Sequence, residues 1–219
     1  NSSHPSAEYF PLDRAARHLS VYSPDTQQFT LIDTCFNTHH LQFAEDHQNT
    51  LWLSGGSDVI GWLETKRFDE TGNERVSQGW CPTVIDTNGD GEITKPWNEP
   101  GRRPDPTLDT RTQGFAYGAI INPVDGSAWV TRTGPFPGRL VRLERGSRPP
   151  ETCRTEVYEP PFETSSVSPD NWGFSPRGID VTRDGIIWTA LSGSGHLASF
   201  DRSKCQIMNG PQATGQHCP

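Results

Sequence analysis

Three segments of the chain repeat one pattern of apolar and polar residues. In each, a β-rich strand with a central tryptophan is followed by a Gly/Ser turn and by a second strand that ends on an acidic residue. The tryptophan strands with their turns span 49–56, 127–134 and 186–193, and the following strands span 60–64, 140–144 and 197–201. A shorter apolar run precedes each tryptophan, at 41–44, 118–122 and 178–181. Internal repetition of this kind predicts an architecture of equivalent stacked units.

The first two strands of a unit are joined by a polar turn, as at Asp125-Gly126 and Asp184-Gly185. Asp-Gly between β-rich runs predicts a tight hairpin, because glycine adopts positive φ without steric strain. We predict fourth strands at 83–86 and 155–158, and an earlier incomplete unit with strands at 18–25 and 29–32. Four antiparallel strands per repeat are typical of a β-propeller blade. The pattern therefore predicts an all-β, propeller-type chain with units at about 14–35, 38–86, 115–158 and 174–205.

The spacing of the units predicts long insertions. Trp52 and Trp129 are 77 residues apart and Trp129 and Trp188 are 59 apart, against about 40–50 residues for common propeller repeats. The extra residues fall at 86–112 and 159–171. With 21 glycines and 19 prolines among 219 residues and no long helical stripe, a helical bundle is excluded. Three full units and part of a fourth cannot close a six- or seven-bladed ring, so we expect a single domain from a longer protein, with a compact β-sandwich as the alternative.

Composition and charge limit the classes of function that the sequence supports. The net charge is −8 and the basic residues are scattered, which predicts no nucleic-acid partner. No apolar run approaches about 18 residues, which predicts no membrane span. Of five cysteines, Cys205 and Cys218 are spaced for a local disulfide, whereas Cys35, Cys81 and Cys153 lie near outer strands with their pairing open. Low lysine content, many tryptophans and Asn/Gly/Pro-rich loops favour a periplasmic or secreted protein.

The segment 86–94 has the pattern of a calcium loop. Asp86, Asn88 and Asp90 supply oxygen side chains at positions 1, 3 and 5, a glycine stands at position 6, and Glu92 offers its backbone carbonyl at position 7. Position 12 is a tryptophan where the pattern requires a bidentate acid, and Glu99 is the candidate substitute. We predict a calcium ion that orders the insertion, with a solvated Asx-turn loop as the alternative.

Superposition of the repeats selects three further residues. His40, Tyr117 and Arg177 each stand just before the first-strand core of their units. Innermost strands of a propeller line its central channel, so these side chains are expected to converge at one mouth and bind a polar or anionic ligand, with His40 as the candidate general base. The alternative is that they line a wet channel. A shared metal site for His39, His40 and His47 is not expected, because strand alternation would separate His39 from His40.

The third unit carries a family resemblance. Its run 176–190, with Gly178-Ile179, Gly185 and Trp188, and the following strand 196–201 resemble blades of the streptogramin lyase and NHL-type propellers. The resemblance covers most of the chain and implies a propeller fold. For the lyases it also implies histidines and magnesium at the channel mouth, where only His40 matches and Tyr117 and Arg177 fill the equivalent positions.

Two classes of function follow from these observations. The first is an exported binding or scaffold module that takes a small polar ligand or a protein partner, with further blades or other copies completing the ring. The second is a metal-dependent propeller lyase or hydrolase. The sequence favours the first, because nucleophile elbows, phosphate-binding loops and dinucleotide fingerprints are absent.

Overall fold

The structure is a computed structural model that describes residues 3–12, 18–55, 58–208 and 218. Short helices are α1 (Pro5–Tyr9), α2 (Thr65–Thr71) and α3 (Glu74–Ser77), with 3₁₀ turns at Pro169–Asn171 and Arg202–Lys204. All other regular elements are strands: β1 (Leu19–Ser23), β2 (Gln28–Ile32), β3 (Leu41–Phe43), β4 (Thr50–Ser54), β5 (Val59–Glu64), β6 (Gln78–Pro82), β7 (Val84–Ile85), β8 (Thr110–Arg111), β9 (Ala116–Ile121), β10 (Ala128–Arg132), β11 (Arg139–Glu144), β12 (Arg154–Tyr158), β13 (Pro176–Val181), β14 (Ile187–Leu191) and β15 (His196–Phe200). The all-β prediction is confirmed.

The strands form antiparallel meanders in chain order. Sheet A is β3–β6, sheet B is β9–β12 and sheet C is β13–β15, while β1–β2 and β7–β8 are two-stranded. Each repeat tryptophan lies on the second strand of its sheet, opposite both neighbours: Trp52 faces Gln42 and Trp62, Trp129 faces Ile120 and Arg142, and Trp188 faces Asp180 and Ser199. The predicted hairpin glycines Gly126 and Gly185 have φ of 70° and 89°. The described sheets do not close a ring.

The fourth strand of sheet A differs from the prediction. It is β6 (Gln78–Pro82), and it follows α2 and α3, which the sequence analysis missed; the segment predicted as the strand instead pairs with β8. The polar run after β5 forms the helices, and α2 ends at Gly72 with φ of 60°. In β6, Gly79 leaves room for the Trp62 ring, since a Cβ there would lie 2.3 Å from Trp62 Cζ2. In sheet B, the prediction at 155–158 is confirmed by β12.

The repeat tryptophans lie between neighbouring sheets. Trp52 of sheet A packs in one cluster with Ala128 and Val130 of sheet B, and Trp129 of sheet B packs with Ile187 of sheet C. Trp188 is 40% exposed, because among the described residues no sheet covers that face of sheet C. Burial of the first two tryptophans is the main apolar contact that holds A against B and B against C.

Two disulfides are present. The predicted Cys205–Cys218 bond is confirmed. Cys81 of β6 is bonded to Cys153, just before β12, so this bond links sheets A and B directly. Cys35 is the free thiol. None of the helices in the described residues is long and apolar enough to cross a bilayer.

Candidate functional site

The first strands of the three large sheets lie side by side, with β9 in contact with both β3 and β13. This places the residues that begin them at one end of the sheets. The Ser54 amide donates to the His40 carbonyl (2.9 Å), Ala116 pairs with Arg132 and Pro176 pairs with Leu191. The insertions leave and return at this same end, from β6 to β9 and from β12 to β13.

His40, Tyr117 and Arg177 contact one another in a chain. The His40 and Tyr117 ring centroids are 4.6 Å apart, and the Arg177 guanidinium carbon lies 4.4 Å from the Tyr117 ring centroid. The tyrosine is half-buried, whereas His40 and Arg177 are exposed. The three positions that the repeat alignment selected from separate units are therefore neighbours in space, in an open surface cluster.

Two hydroxyl groups at equivalent repeat positions hold this arrangement. Ser54 and Thr131 each stand two residues after a repeat tryptophan. Ser54 Oγ donates to the Tyr117 carbonyl (2.6 Å), and Thr131 Oγ1 donates to the Arg177 carbonyl (2.5 Å). Each bond runs from the second strand of one sheet to the first strand of the next, so the repeat itself positions the cluster.

Close approach of β9 and β13 also depends on Gly118. A Cβ at this position would lie 2.6 Å from the Arg177 carbonyl oxygen, so any side chain would push β13 away. The Gly118 amide donates to Thr131 Oγ1 (3.0 Å). The Thr131 hydroxyl therefore links Gly118, which follows Tyr117 in the chain, to Arg177, which stacks on the Tyr117 ring.

His39 also belongs to the cluster, contrary to the prediction. Its ring centroid is 4.6 Å from that of His40 and 5.1 Å from those of Tyr117 and Phe115. The alternation rule failed here because β3 begins at Leu41, so both histidines precede the strand. The two imidazoles and the phenol form one exposed group beside Arg177.

The Arg177 guanidinium has no carboxylate partner in the part of the chain that the structure describes. Among the described residues, no acidic side chain comes within 4.0 Å of its nitrogens. By contrast, Arg142 of sheet B is paired with Asp125 at 2.8 Å, and Arg202 of the last 3₁₀ turn is paired with Glu156 at 2.6 Å. The cluster therefore presents the Arg177 cation and the His40 imidazole at the surface beside the half-buried Tyr117.

The calcium-type loop is folded around Asp86. This residue is 2% exposed, and its two carboxylate oxygens accept from the amides of Gly89 (2.7 Å), Asp90 (3.1 Å) and Gly91 (2.9 Å). Asn88 and Asp90 make further contacts within the loop: Asn88 Oδ1 accepts from the Asp90 amide (2.9 Å), and Asn88 Nδ2 donates to Asp90 Oδ2 (3.2 Å). Ile93 anchors the loop, since it is buried and its amide donates to the Glu151 carbonyl (3.2 Å).

The side chains of the two glutamates predicted at this loop form ion pairs with arginines. Glu92 pairs with Arg148 at 3.0 Å through its side chain. Glu99 pairs with Arg111 at 2.7 Å and accepts from Trp97 Nε1 at 2.8 Å. Across the described part of the chain, no group of three or more His, Cys, Asp or Glu side chains is arranged to hold a metal ion. A calcium ion at this loop would therefore have to draw carboxylates together, or take Asn and backbone oxygens in their place.

Asp109 is a residue near this loop that the sequence analysis missed. It is fully buried, and its Oδ2 accepts from the Thr94 amide (2.8 Å). Its burial and the negative charges of Asp86 and Asp90 raise its pKa, against amide contacts from Thr94 and Asn88 that lower it. It lies 23 residues after Asp86 in the chain, a distance that no loop motif could have indicated.

A separate open cavity of about 550 Å³ contains the free thiol. Its lining includes His18, Asp33, Cys35 and Glu74, and His18 Nδ1 lies 3.5 Å from Asp33 Oδ1. Burial raises the pKa of the Cys35 thiol. A raised thiol pKa disfavours the nucleophilic thiolate, so this cavity is a poor candidate for cysteine catalysis.

Comparison with known proteins gives structural similarity alone. The chain is similar to a streptogramin B lyase structure, at 13% identity over 86% of this chain and 49% of that chain, with a TM-score of 0.46. It is also similar to Pseudomonas fluorescens PhoX in complex with vanadate, a transition state analogue, at 11% identity over 75% of this chain and 41% of that chain, with a TM-score of 0.36. The chain thus spans less than half the length of either structure. No protein-family model matches the chain, and no curated protein matches its sequence.

Proposed function

We propose that this chain is a β-propeller-type binding module whose first strands present a site for a small polar anion. The observation that carries the proposal is the Arg177 guanidinium, stacked on Tyr117 with no carboxylate partner among the described residues. A planar guanidinium binds carboxylate or phosphate oxygens in a bidentate manner. Stacking on an aromatic ring limits its motion, so little conformational entropy is lost when an anion binds.

The rest of the cluster suits an anion as well. The Tyr117 hydroxyl and an imidazole N–H group of His40 are hydrogen-bond donors. In this role His40 is a ligand-binding residue, and its use as a general base belongs to the alternative function. The insertion 159–171, which leaves and returns at the same end of the sheets, supplies a loop that can contact the remainder of a ligand or a protein partner.

The propeller-type arrangement is inferred from the chain's own sheets. Adjacent first strands and tryptophans packed between successive meanders are the expected relationships of neighbouring blades. The exposed face around Trp188 and Leu197 is where a further unit of the same repeat would pack, from the same protein or another copy. We propose a periplasmic or secreted location, which fits the two disulfides.

We further propose that the loop 86–94 binds calcium and orders the insertion 86–112. The turns around Asp86 leave carboxylate and amide oxygens of Asp86, Asn88 and Asp90 on one short loop. The loop contacts Glu151 and Arg148, in the connection from β11 to β12 at the end of sheet B opposite the cluster. Calcium there would stabilise the insertion without taking part in chemistry at the cluster.

One observation favours the enzymatic alternative, a metal-dependent lyase or hydrolase. His39, His40 and Tyr117 are mutually in contact, and such a group could transfer a proton to or from a ligand held by Arg177. Under this alternative, His40→Gln would abolish turnover while ligand affinity stays nearly the same.

Isothermal titration with phosphate and with citrate tests the binding proposal. The wild-type chain is expected to bind at least one of them, and Arg177→Gln is expected to weaken binding by about tenfold or more, because a charge-assisted hydrogen bond contributes about 1.5–3 kcal/mol. The matched control is Arg183→Gln, which removes an exposed arginine from the other end of sheet C. Equal affinities for all three proteins would contradict the proposal.

A further inference from the structure

Asp109 has a buried carboxylate oxygen without a partner. The residue is 0% exposed, and its Oδ1 makes no hydrogen bond. Leaving a charged oxygen buried and unpaired is costly, so such an atom normally faces a cation or a donor. The carboxylates of Asp86 and Asp90 lie near enough for their negative charges to repel that of Asp109.

The backbone fixes Asp109 against the loop from both sides. Its neighbour Thr110 pairs with Ile85, and the carbonyl of Leu108 accepts from Thr87 Oγ1 (2.7 Å). Its own carbonyl accepts from the Asn98 amide (2.7 Å). Asp109 therefore lies beside the first residues of the loop 86–94, and its Oδ2 accepts from the amide of Thr94, the last residue of that loop.

We infer that Asp109 is a direct ligand of a calcium ion bound by the loop 86–94, in place of the acid that is missing at loop position 12. This inference rests on the calcium loop proposed above. The ligand set would be oxygens of Asp86, Asn88, Asp90 and Asp109 with the Glu92 carbonyl, and water would complete the 6–8 oxygens that calcium takes. The three carboxylates are not grouped for a metal ion in this structure, so calcium would draw them together as it binds. A divalent cation would offset the repulsion among the three carboxylates and give Asp109 Oδ1 its partner.

The inference also assigns the ion a structural task. The loop lies at the start of the insertion 86–112, and Asp109 lies near its end. A shared ion would join the two ends of the insertion, so that residues 95–108 form a loop closed by the ion. Calcium would then protect residues well outside the loop motif, which a site made of the loop alone would not do.

Calorimetric titration with calcium, after removal of metal by chelation, tests the inference on the full chain. The variants are Asp109→Asn, which keeps the shape and removes the charge, and Glu99→Gln, the ligand that the sequence alone indicated. Asp170→Asn, an exposed aspartate in the other insertion, is the matched control. We expect Asp109→Asn to weaken calcium binding by about tenfold or more, since affinity follows the number of charged ligands, and the other two variants to bind within about twofold of the wild type.

The possible outcomes distinguish the role of Asp109 from the calcium loop itself. Wild-type binding that Asp109→Asn leaves unchanged would overturn the role of Asp109 and keep the calcium loop. Absence of binding to the wild type would overturn both. A loss with Glu99→Gln but not with Asp109→Asn would return the closing ligand to Glu99.

Limited trypsin digestion of the wild type gives an independent readout that needs no variant. The Arg102–Arg103 bond lies in the exposed excursion between the loop and Asp109. Calcium is expected to slow its cleavage, whereas magnesium, which keeps its waters and prefers a tighter octahedral site, is expected to do so less. Cleavage that is equally fast with and without calcium would contradict the link through Asp109.

Discussion

The guanidinium of Arg177 stacks on the ring of Tyr117 across the boundary between sheets B and C, at 4.4 Å from carbon to centroid. The two residues are 60 positions apart in the chain but occupy the same place in their repeats. His40, at that place in the repeat of sheet A, also contacts Tyr117, with the ring centroids 4.6 Å apart. The repeat thus brings chemically different side chains to one point, which is how a symmetric scaffold can make an asymmetric site.

Replacement of Arg177 by lysine separates charge from geometry. Lysine keeps the positive charge but loses the planar stack on Tyr117 and the bidentate donors. We expect phosphate affinity between those of the wild type and Arg177→Gln, with unchanged thermal stability because the side chain is exposed. Calorimetry and thermal unfolding measure both, and a lysine variant that binds as tightly as the wild type would contradict a role for the stack.

Thr131 is predicted to be a positioning residue. Thr131 is fully buried, and Thr131→Val removes the hydroxyl that links the Gly118 amide to the Arg177 carbonyl, so both groups lose that partner. We expect a loss of about 1–3 kcal/mol in unfolding free energy and weaker phosphate binding below the unfolding transition. Thr131→Ser should restore both, whereas failure of serine to restore affinity would count against the positioning role.

The disulfide between Cys81 and Cys153 is predicted to be a major source of stability. It closes a separation of 72 residues, for which chain entropy predicts about 4 kcal/mol. Urea unfolding of Cys81→Ala/Cys153→Ala is expected to show a loss of that order, while Cys35→Ala, which breaks no disulfide, should lose about 1 kcal/mol or less. Similar losses for the two proteins would contradict this assignment.

Stability is predicted to fall as pH drops below about 6.5, the ordinary pKa of histidine. His4 is buried; its Nε2–H donates to the Gln78 carbonyl (2.9 Å), and its Nδ1 accepts from the Ser6 amide (3.1 Å). Burial lowers the pKa of His4, and the charge of Arg75 lowers it further, against the Gln78 carbonyl that raises it. Since the unfolded chain binds this proton more readily, stability is present above the unfolded pKa and is lost as pH falls towards the folded pKa.

The variant His4→Asn tests this assignment. Asparagine keeps a cap on the Ser6 amide but does not titrate. The unfolding free energy of the variant should therefore change less than that of the wild type between pH 7 and pH 5. Parallel pH profiles for the two proteins would show that another group is responsible.

The repeat and the residues of the cluster could be predicted from the sequence, whereas the packing of the sheets and loops largely could not. Tryptophan strands and hairpins are local patterns, so β4, β10 and β14 and the alignment of His40, Tyr117 and Arg177 could be predicted. The position of β6 could not, because a helical segment separates it from β5 and Gly79 matters only through contact with Trp62. The Cys81–Cys153 bond and the burial of Asp109 depend on how sheets and loops meet, which no spacing rule encodes.

The most direct test of the anion site is an NMR titration of the labelled wild-type chain with the anion that calorimetry shows to bind. The signals to follow are those of the arginine Nε–H groups, the histidine imidazoles and the backbone amides. The account predicts saturable shifts centred on Arg177, Tyr117, His39 and His40, with the calcium loop unaffected. Shifts that leave Arg177 and Tyr117 unchanged while other arginines respond would contradict it.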